Sequence, residues 1–307
     1  MAGSRTQEGG EIQYDIEIKA QLYPPGMVEW GALGGPPSQT ANHSDMIMQN
    51  ESWYASPIAL VEHKLLLFTV PKNACTELRC LALRMMGMES GCPRKITEQD
   101  RILYGYSRND KVHNPLKNGL TYLSHLSPRD ATKMMKDPTW MKAIFLRDPK
   151  ERLLSAYLDK VVREPEYIRR VHGRDPASFP EFADFVEEIT TKGFSDAHWA
   201  SQTDHLGDKW WPYINFVGRV SHAKEDAEAL LKQVGAWEKY GASGWGRDGS
   251  ERMFATNNAV HFTGSSRKVA DFYTPALEKQ VADFYASDYA RYDFFNDSTH
   301  PLHRKTV

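Results

Sequence analysis

The stretch His63-Lys64-Leu65-Leu66-Leu67-Phe68-Thr69-Val70-Pro71-Lys72-Asn73-Ala74-Cys75-Thr76 decides the fold. Its apolar run from Leu65 is continuous rather than alternating, the pattern of a strand covered on both faces. Beyond Thr76, residues Leu78, Leu81, Ala82, Met85 and Met86 share one face of a helix that Gly87 can close. A strand that runs straight into a helix aims unpaired backbone N–H groups and the positive helix end at one point. That point attracts an anion. Lys72 adds an ammonium and Thr76 a hydroxyl, while the small side chains of Ala74 and Cys75 let a ligand approach the backbone. Pro71 to Thr76 can therefore cradle a phosphate or sulfate group. The turn lacks glycine and the Gly-x-x-x-x-Gly-Lys-Ser/Thr spacing, so it is not a Walker A loop. Taken alone, a lysine at a helix start is also compatible with simple surface decoration.

Working outward, the same alternation returns. Ala143-Ile144-Phe145-Leu146-Arg147 reads as a second strand, followed by Asp148 as N-cap, Pro149 at the first helical position, and a stripe of Leu153, Leu154, Tyr157, Leu158 and Val161. Ser178 with Glu181 predicts a capping box before a helix carrying Phe182, Phe185, Val186 and Ile189 and ended by Gly193. Tyr213 to Val220 predicts a strand feeding a helix capped by Ser221, and Thr274-Pro275 opens the last helix. Strands alternating with amphipathic helices argue for an α/β fold with a central parallel sheet flanked by helices. The expected organisation is an irregular extension over 1–56 with one strand at Ile12, Tyr14, Ile16 and Ile18, a folded domain over 57–296, and a tail over 297–307. Gly241 to Gly249 reads as a surface loop or as a flap over an acceptor.

Composition bounds the function. The chain has 307 residues, 41% hydrophobic and 25% charged, which excludes wholesale disorder and a disulfide miniprotein. Its net charge of −2 supplies no global attraction to nucleic acid or an anionic membrane, and no nucleic-acid partner is expected. No apolar run approaches the roughly 20 residues of a bilayer span, so no transmembrane segment is expected. Cys75, Cys80 and Cys92 are read as reduced thiols, which points to the cytoplasm; the Golgi lumen is the alternative for a chain whose N-terminal anchor has been removed.

A second anchor lies at Arg147, at the end of its strand, with Ser155 eight residues later on the following helix. Ser155 falls beside Arg152 and Asp159, off the apolar stripe, so its hydroxyl can point away from the core. A forked guanidinium and a directional hydroxyl suit a second phosphate. The competing expectation is that Arg147 pairs with Asp148 or Glu151 and that Ser155 is an indifferent surface residue.

Together, the segments Leu65 to Thr76 and Phe145 to Tyr157 resemble the two nucleotide-binding motifs of sulfotransferases, in the form found in the carbohydrate sulfotransferases acting on chondroitin, dermatan and heparan-type glycans. His198-Trp199-Ala200-Ser201-Gln202, Phe216 to Val220 and Tyr285 to Tyr289 add supporting similarity, so the resemblance spans about residues 60–295. It implies a P-loop-like three-layer fold and the donor 3′-phosphoadenosine 5′-phosphosulfate (PAPS), released as PAP. By that resemblance Lys72 and the backbone of Asn73 to Thr76 hold the 5′-phosphosulfate, Arg147 and Ser155 hold the 3′-phosphate, and Arg267 in Thr263-Gly264-Ser265-Ser266-Arg267-Lys268 belongs to a further donor loop.

In-line sulfuryl transfer builds negative charge on the bridging oxygen of the leaving nucleotide, where Lys72 is expected to act. A sulfuryl group carries less charge than a phosphoryl group, and no metal is expected. The acceptor hydroxyl needs a base, and histidine titrates closest to neutral pH. His125 is the leading candidate, because it lies between the donor motifs and relatives acting on heparan place a catalytic histidine in a similar segment. His113, His198 and Glu77 are the others. His198 and His205 lack a third ligand for zinc. Trp210, Trp211, Trp237 and Trp245 are expected to pack rather than stack on sugars. The acceptor is expected to be a carbohydrate, with a small hydroxylated metabolite or lipid as the alternative. A non-catalytic nucleotide-binding protein is the competing class, and a metal-dependent P-loop phosphotransferase is disfavoured by the missing glycines.

Overall fold

The computed structural model describes residues 56–88, 112–113, 118–207, 210–246, 248–255 and 263–296. The expected strand at Ile12–Ile18, the tail and Cys92 lie outside the described residues. A four-stranded sheet runs in the order β1-β2-β3-β4, with β1 at Ile58–Leu60, β2 at Leu65–Phe68, β3 at Met141–Leu146 and β4 at Phe216–Arg219. Strands β2, β3 and β4 are parallel, and β1 is an antiparallel edge strand joined to β2 by a tight turn with Lys64 at φ 45°. The expected central parallel sheet is present, with that one antiparallel addition.

Strict alternation along the strands distributes side chains to two cores. Leu65, Leu67, Ala143, Phe145 and Phe216 face one layer, where they meet helix α1 (Cys75–Met85). Leu66, Phe68, Ile144, Leu146 and Val217 face the other, where they meet α2 (Pro128–Lys136) and Trp140, Trp210 and Trp211. A third cluster joins α3 (Pro149–Ala156), Ile168 of α4 (Pro165–His172), α5 (Phe182–Lys192) and Val281, and it extends the molecule beyond the carboxyl end of β3. Helices α6 (Ala223–Gln233), α7 (Ser265–Phe272), α8 (Pro275–Phe284) and α9 (Ala286–Asn296) complete the described chain.

Local chemistry explains most boundaries. Asp148 accepts from the amides of Lys150 and Glu151, Thr274 accepts from Leu277, and Gly87 and Gly193 adopt φ of 72° and 69° past their helices. Two caps differ from expectation. Helix α5 is capped by Glu181, whose partner is Asp184, while Ser178 sits in a preceding 3-10 turn. Helix α6 follows His222 with no side-chain cap, because Ser221 is absorbed into the turn Val220–His222. Within the expected loop, Trp245 forms a bridge to Glu251 and is buried under the Arg84 guanidinium. Trp210, Trp211, Trp237 and Trp245 are all buried, as expected. One thiol expectation is corrected: Cys80, inside α1, is disulfide-bonded, whereas Cys75 is a free thiol. Cys80 is buried on the core face of α1, a placement that residue spacing alone does not reveal.

Candidate functional site

The turn after β2 is shaped for close approach to its backbone. Lys72 and Ala74 both take positive φ, 67° and 56°, a conformation that costs a non-glycine residue energy and turns successive amides toward one side. Ala74 is the N-cap of α1 and has no capping hydroxyl or carboxylate, so no side chain occupies the acceptor position over the first turn. The buried Asn73 side chain braces the turn, donating through Nδ2 to the Phe145 carbonyl at 2.8 Å and to Gln202 Oε1 at 2.6 Å. Thr76 Oγ1 lies 2.9 Å from His113 Nε2, and the Pro71 carbonyl accepts from Arg152 Nε at 3.0 Å.

The side chain of Lys72 turns inward. Its Nζ donates to Asp159 Oδ2 at 2.8 Å, with the two side chains only 7% and 3% exposed. Asp159 stands in a π-helical turn, Tyr157–Arg163, that continues α3, and it also accepts from Arg163 while Lys160 stands 3.4 Å away. Burial, with Lys160, Arg163 and Arg147 adding positive charge nearby, lowers the Lys72 ammonium well below the ordinary lysine range. Several cations thus share a buried carboxylate.

Arg147 reaches the same turn from the end of β3. Its Nη1 donates to the Lys72 carbonyl at 3.0 Å, its Nη2 to Ser265 Oγ at 2.7 Å, and its Nε lies 3.5 Å from Glu151. The pairing with Glu151 therefore exists alongside the contact with the Lys72 turn rather than instead of it. Ser155 is 2% exposed and its hydroxyl accepts from Thr263 Oγ1 at 3.1 Å. It is neither an indifferent surface residue nor turned away from the interior, because the segment opening α7 covers it. Arg267 is exposed on that segment, and no described side chain bonds to it; Thr263 and Ser265 are the members that touch the anchors.

Among the histidines, His125 is exposed at the end of a 3-10 turn, with Nδ1 3.4 Å from the Tyr122 amide and its ring edge-on to Tyr122. Partial burial lowers its pKa. Its turn adjoins the start of β1, which pairs with the end of β2, so it lies toward the same end of the sheet as the Lys72 turn. His113 is committed to Thr76 and Arg79. Burial raises the Glu77 carboxyl. His198 is bound to Asp196, Nδ1 to Oδ1 at 2.6 Å, in a loop whose Ala197 and Ala200 carbonyls accept from the buried Arg152.

The family model described as "Sulfotransferase family" matches residues 59–295 of this chain. The chain belongs to that family. This sulfotransferase-family chain is 23% identical over 258 residues to human carbohydrate sulfotransferase 9, covering 76% of this chain and 52% of that protein. It is 29% identical over 153 residues to mouse carbohydrate sulfotransferase 14 (44% and 40% of the two chains), and 30% identical over 149 residues to carbohydrate sulfotransferase 10 of Pongo abelii (40% of each). The chain spans about half the length of the curated relatives it matches. No solved structure matches it at a significant level.

In this sulfotransferase-family member four further residues organise the anchors. Gln202 bonds both the amide and the carbonyl of Arg147, at 3.0 and 2.8 Å, as well as Asn73. Asp288 of α9 holds the Gln202 segment through Ser201 Oγ and the amides of Gln202 and Thr203. Asp159 and Ser265 complete the set. Gln202 and Asp288 lie inside segments already noted for similarity, but their roles arise from contacts 55 to 129 residues apart in sequence, which no local pattern announces.

Proposed function

We propose that this chain transfers a sulfuryl group from PAPS to a hydroxyl of a carbohydrate. The convergence of Lys72, Arg147, Lys160 and Arg163 beside an uncapped helix start carries the reading: these four cations meet three carboxylates, Asp159, Glu151 and Glu164, so a bound anion supplies negative charge that the group lacks. The residues fit the donor in kind. Lys72 and the amides of Asn73 to Thr76 would hold the 5′-phosphosulfate, and Arg147 and Ser155, with Thr263 and Ser265 beside them, the 3′-phosphate; Arg267 stands on the same covering segment. For Lys72 to meet the leaving oxygen it exchanges Asp159 for the donor, while Arg163 and Lys160 continue to neutralise Asp159.

The reaction forms a bond between the acceptor oxygen and sulfur as the bond from sulfur to the 5′-phosphate oxygen breaks, and Lys72 stabilises the charge on that leaving oxygen. A histidine takes the acceptor proton. His125, between the donor motifs, is the first candidate for it, and His198, in the loop bound to Arg152, the second. The names of the relatives support a glycan acceptor. The Cys80 disulfide favours an oxidising compartment such as the Golgi lumen over the cytoplasm. Among the described residues no helix is long and apolar enough to cross a membrane.

The test is incubation of the purified chain with PAPS and a panel of unsulfated glycosaminoglycans, neutral oligosaccharides, glycolipids and small alcohols, read by mass spectrometry for a gained SO₃ and by calorimetry for PAP binding. A sulfated glycan is expected. Sulfation confined to lipids or small alcohols would replace the acceptor class, and PAP binding without transfer to any acceptor would make the chain a nucleotide-binding module.

A further inference from the structure

The side-chain amide of Gln202 touches both donor anchors. Its Oε1 accepts from Asn73 Nδ2 at 2.6 Å and from the Arg147 amide at 3.0 Å, while its Nε2 donates to the Arg147 carbonyl at 2.8 Å. Asn73 Nδ2 donates in addition to the carbonyl of Phe145, two residues before Arg147, at 2.8 Å. Gln202 is 2% exposed and Asn73 fully buried, so water does not substitute for these partners. Chemistry fixes both amide orientations. Reversing Asn73 would set its oxygen against two acceptor oxygens, and reversing Gln202 would set its nitrogen against two donors.

Gln202 stands on a firmly held loop. Asp288 accepts from Ser201 Oγ at 2.6 Å and from the amides of Gln202 and Thr203 at 2.8 Å each. Buried Arg152 donates to the Ala197 and Ala200 carbonyls and, through Nε, to the carbonyl of Pro71, the residue before Lys72. A loop fixed at so many points passes a displacement on rather than absorbing it. The turn it braces needs such support. Lys72 and Ala74 take positive φ on either side of Asn73, a conformation that persists in non-glycine residues only when the surroundings over-determine it.

We infer, building on the donor proposal above, that Gln202 is a positioning residue that couples the two phosphate anchors. A 3′-phosphate on Arg147 then strengthens the grip of the Lys72 turn on a 5′-phosphate, and by linkage the reverse holds equally. Ordering Arg147 orders the Gln202 amide, which through Asn73 orders the turn, so the second phosphate meets a site whose conformational cost has already been met. The Arg147 guanidinium also bonds the Lys72 carbonyl, but a bound phosphate competes for that fork. Gln202 holds Arg147 by its main chain and leaves the guanidinium for the ligand. A nucleotide lacking the 3′-phosphate meets a turn without this support, so Gln202 selects for the doubly anionic donor.

The experiment measures, by calorimetry, the association constants of PAP, adenosine 5′-phosphate, adenosine 3′-phosphate and adenosine, the weaker ligands by displacement of PAP. The proteins are wild type, Gln202→Met, Asn73→Ala and Leu230→Ala, each with its melting temperature. The product of the PAP and adenosine constants, divided by the product of the two monophosphate constants, is the coupling between the phosphates; a general loss of folded protein cancels from it. Wild type is expected to give about tenfold or more. Gln202→Met and Asn73→Ala break the joint from opposite ends and are expected to bring the value within about twofold of one. Leu230→Ala opens a cavity in the core of α6 and is expected to lower the melting temperature while keeping the wild-type coupling. A value near one in wild type, a wild-type value in either joint variant, or an equal fall in Leu230→Ala overturns the assignment. Failure of wild type to bind PAP would instead defeat the donor reading itself.

Discussion

Arg147 Nη1 donates to the carbonyl of Lys72 at 3.0 Å, so the ends of two adjacent parallel strands are joined at the residues expected to grip opposite ends of one nucleotide. The two anchors are therefore coupled. Lys72→Ala leaves that carbonyl in place and is expected to reduce sulfuryl transfer by about 10²-fold or more while PAP still binds. Arg147→Ala removes both the phosphate contact and the brace, and is expected to weaken PAP mainly, by about tenfold or more. Calorimetry with PAP and steady-state transfer distinguish the two; wild-type turnover in Lys72→Ala would remove the leaving-group role.

Asp159→Asn should separate stability from binding. The substitution deprives buried Lys72 of its carboxylate, while Lys160 and Arg163 keep Glu164, and is expected to cost the ligand-free chain roughly 3–5 kcal/mol. PAP then has no carboxylate to displace, so it should bind more tightly to the variant and raise its melting temperature more than it raises that of wild type. Weaker PAP binding in Asp159→Asn would show that the carboxylate supports the occupied site rather than competing with it.

The His198 pKa predicts a stability profile independent of catalysis. A histidine lowered to about 4 in the fold, against about 6.5 when unfolded, binds more protons in the unfolded chain between those values. Stability from this group is complete above about 6.5 and is lost as pH falls toward 4. Melting temperatures across that interval should fall less steeply in His198→Gln than in wild type. Parallel curves would mean that the imidazole does not carry the linkage.

Gly218→Ala tests the packing under the Arg147 strand. A Cβ at position 218 would stand 2.4 Å from Cε1 of Phe145, its register partner on β3, whose ring lies over Gly218 on the core face of the sheet. Overpacking of this kind is expected to cost about 1–3 kcal/mol, seen as a lowered melting temperature. Unchanged melting would require the ring to move freely, against its complete burial.

The cysteine state is directly countable. With Cys80 in a disulfide and Cys75 free, alkylation of the denatured, unreduced chain is expected to label one cysteine, Cys75, and alkylation after reduction all three. Three labels without reduction would restore the reduced-thiol expectation and the cytoplasmic reading with it.

Local pattern was enough for much of this protein. The continuous apolar runs at Leu65 and Ala143, the helical stripes after them, Asp148 and Thr274 as caps and the Lys72 turn are all written in neighbouring residues, because strand burial, helix amphipathicity and capping act over a few positions. Tertiary structure alone decided where the charges go. Lys72 meets Asp159 across 87 positions, Arg147 meets Ser265 across 118, Asn73 meets Gln202 across 129, and Asp196 collects Tyr167 and His172 from a separate helix. A buried ion or hydrogen bond gains its strength from a desolvated partner, and which partner is desolvated beside it depends on how sheet, helices and loops pack together, a property that no short stretch of sequence contains.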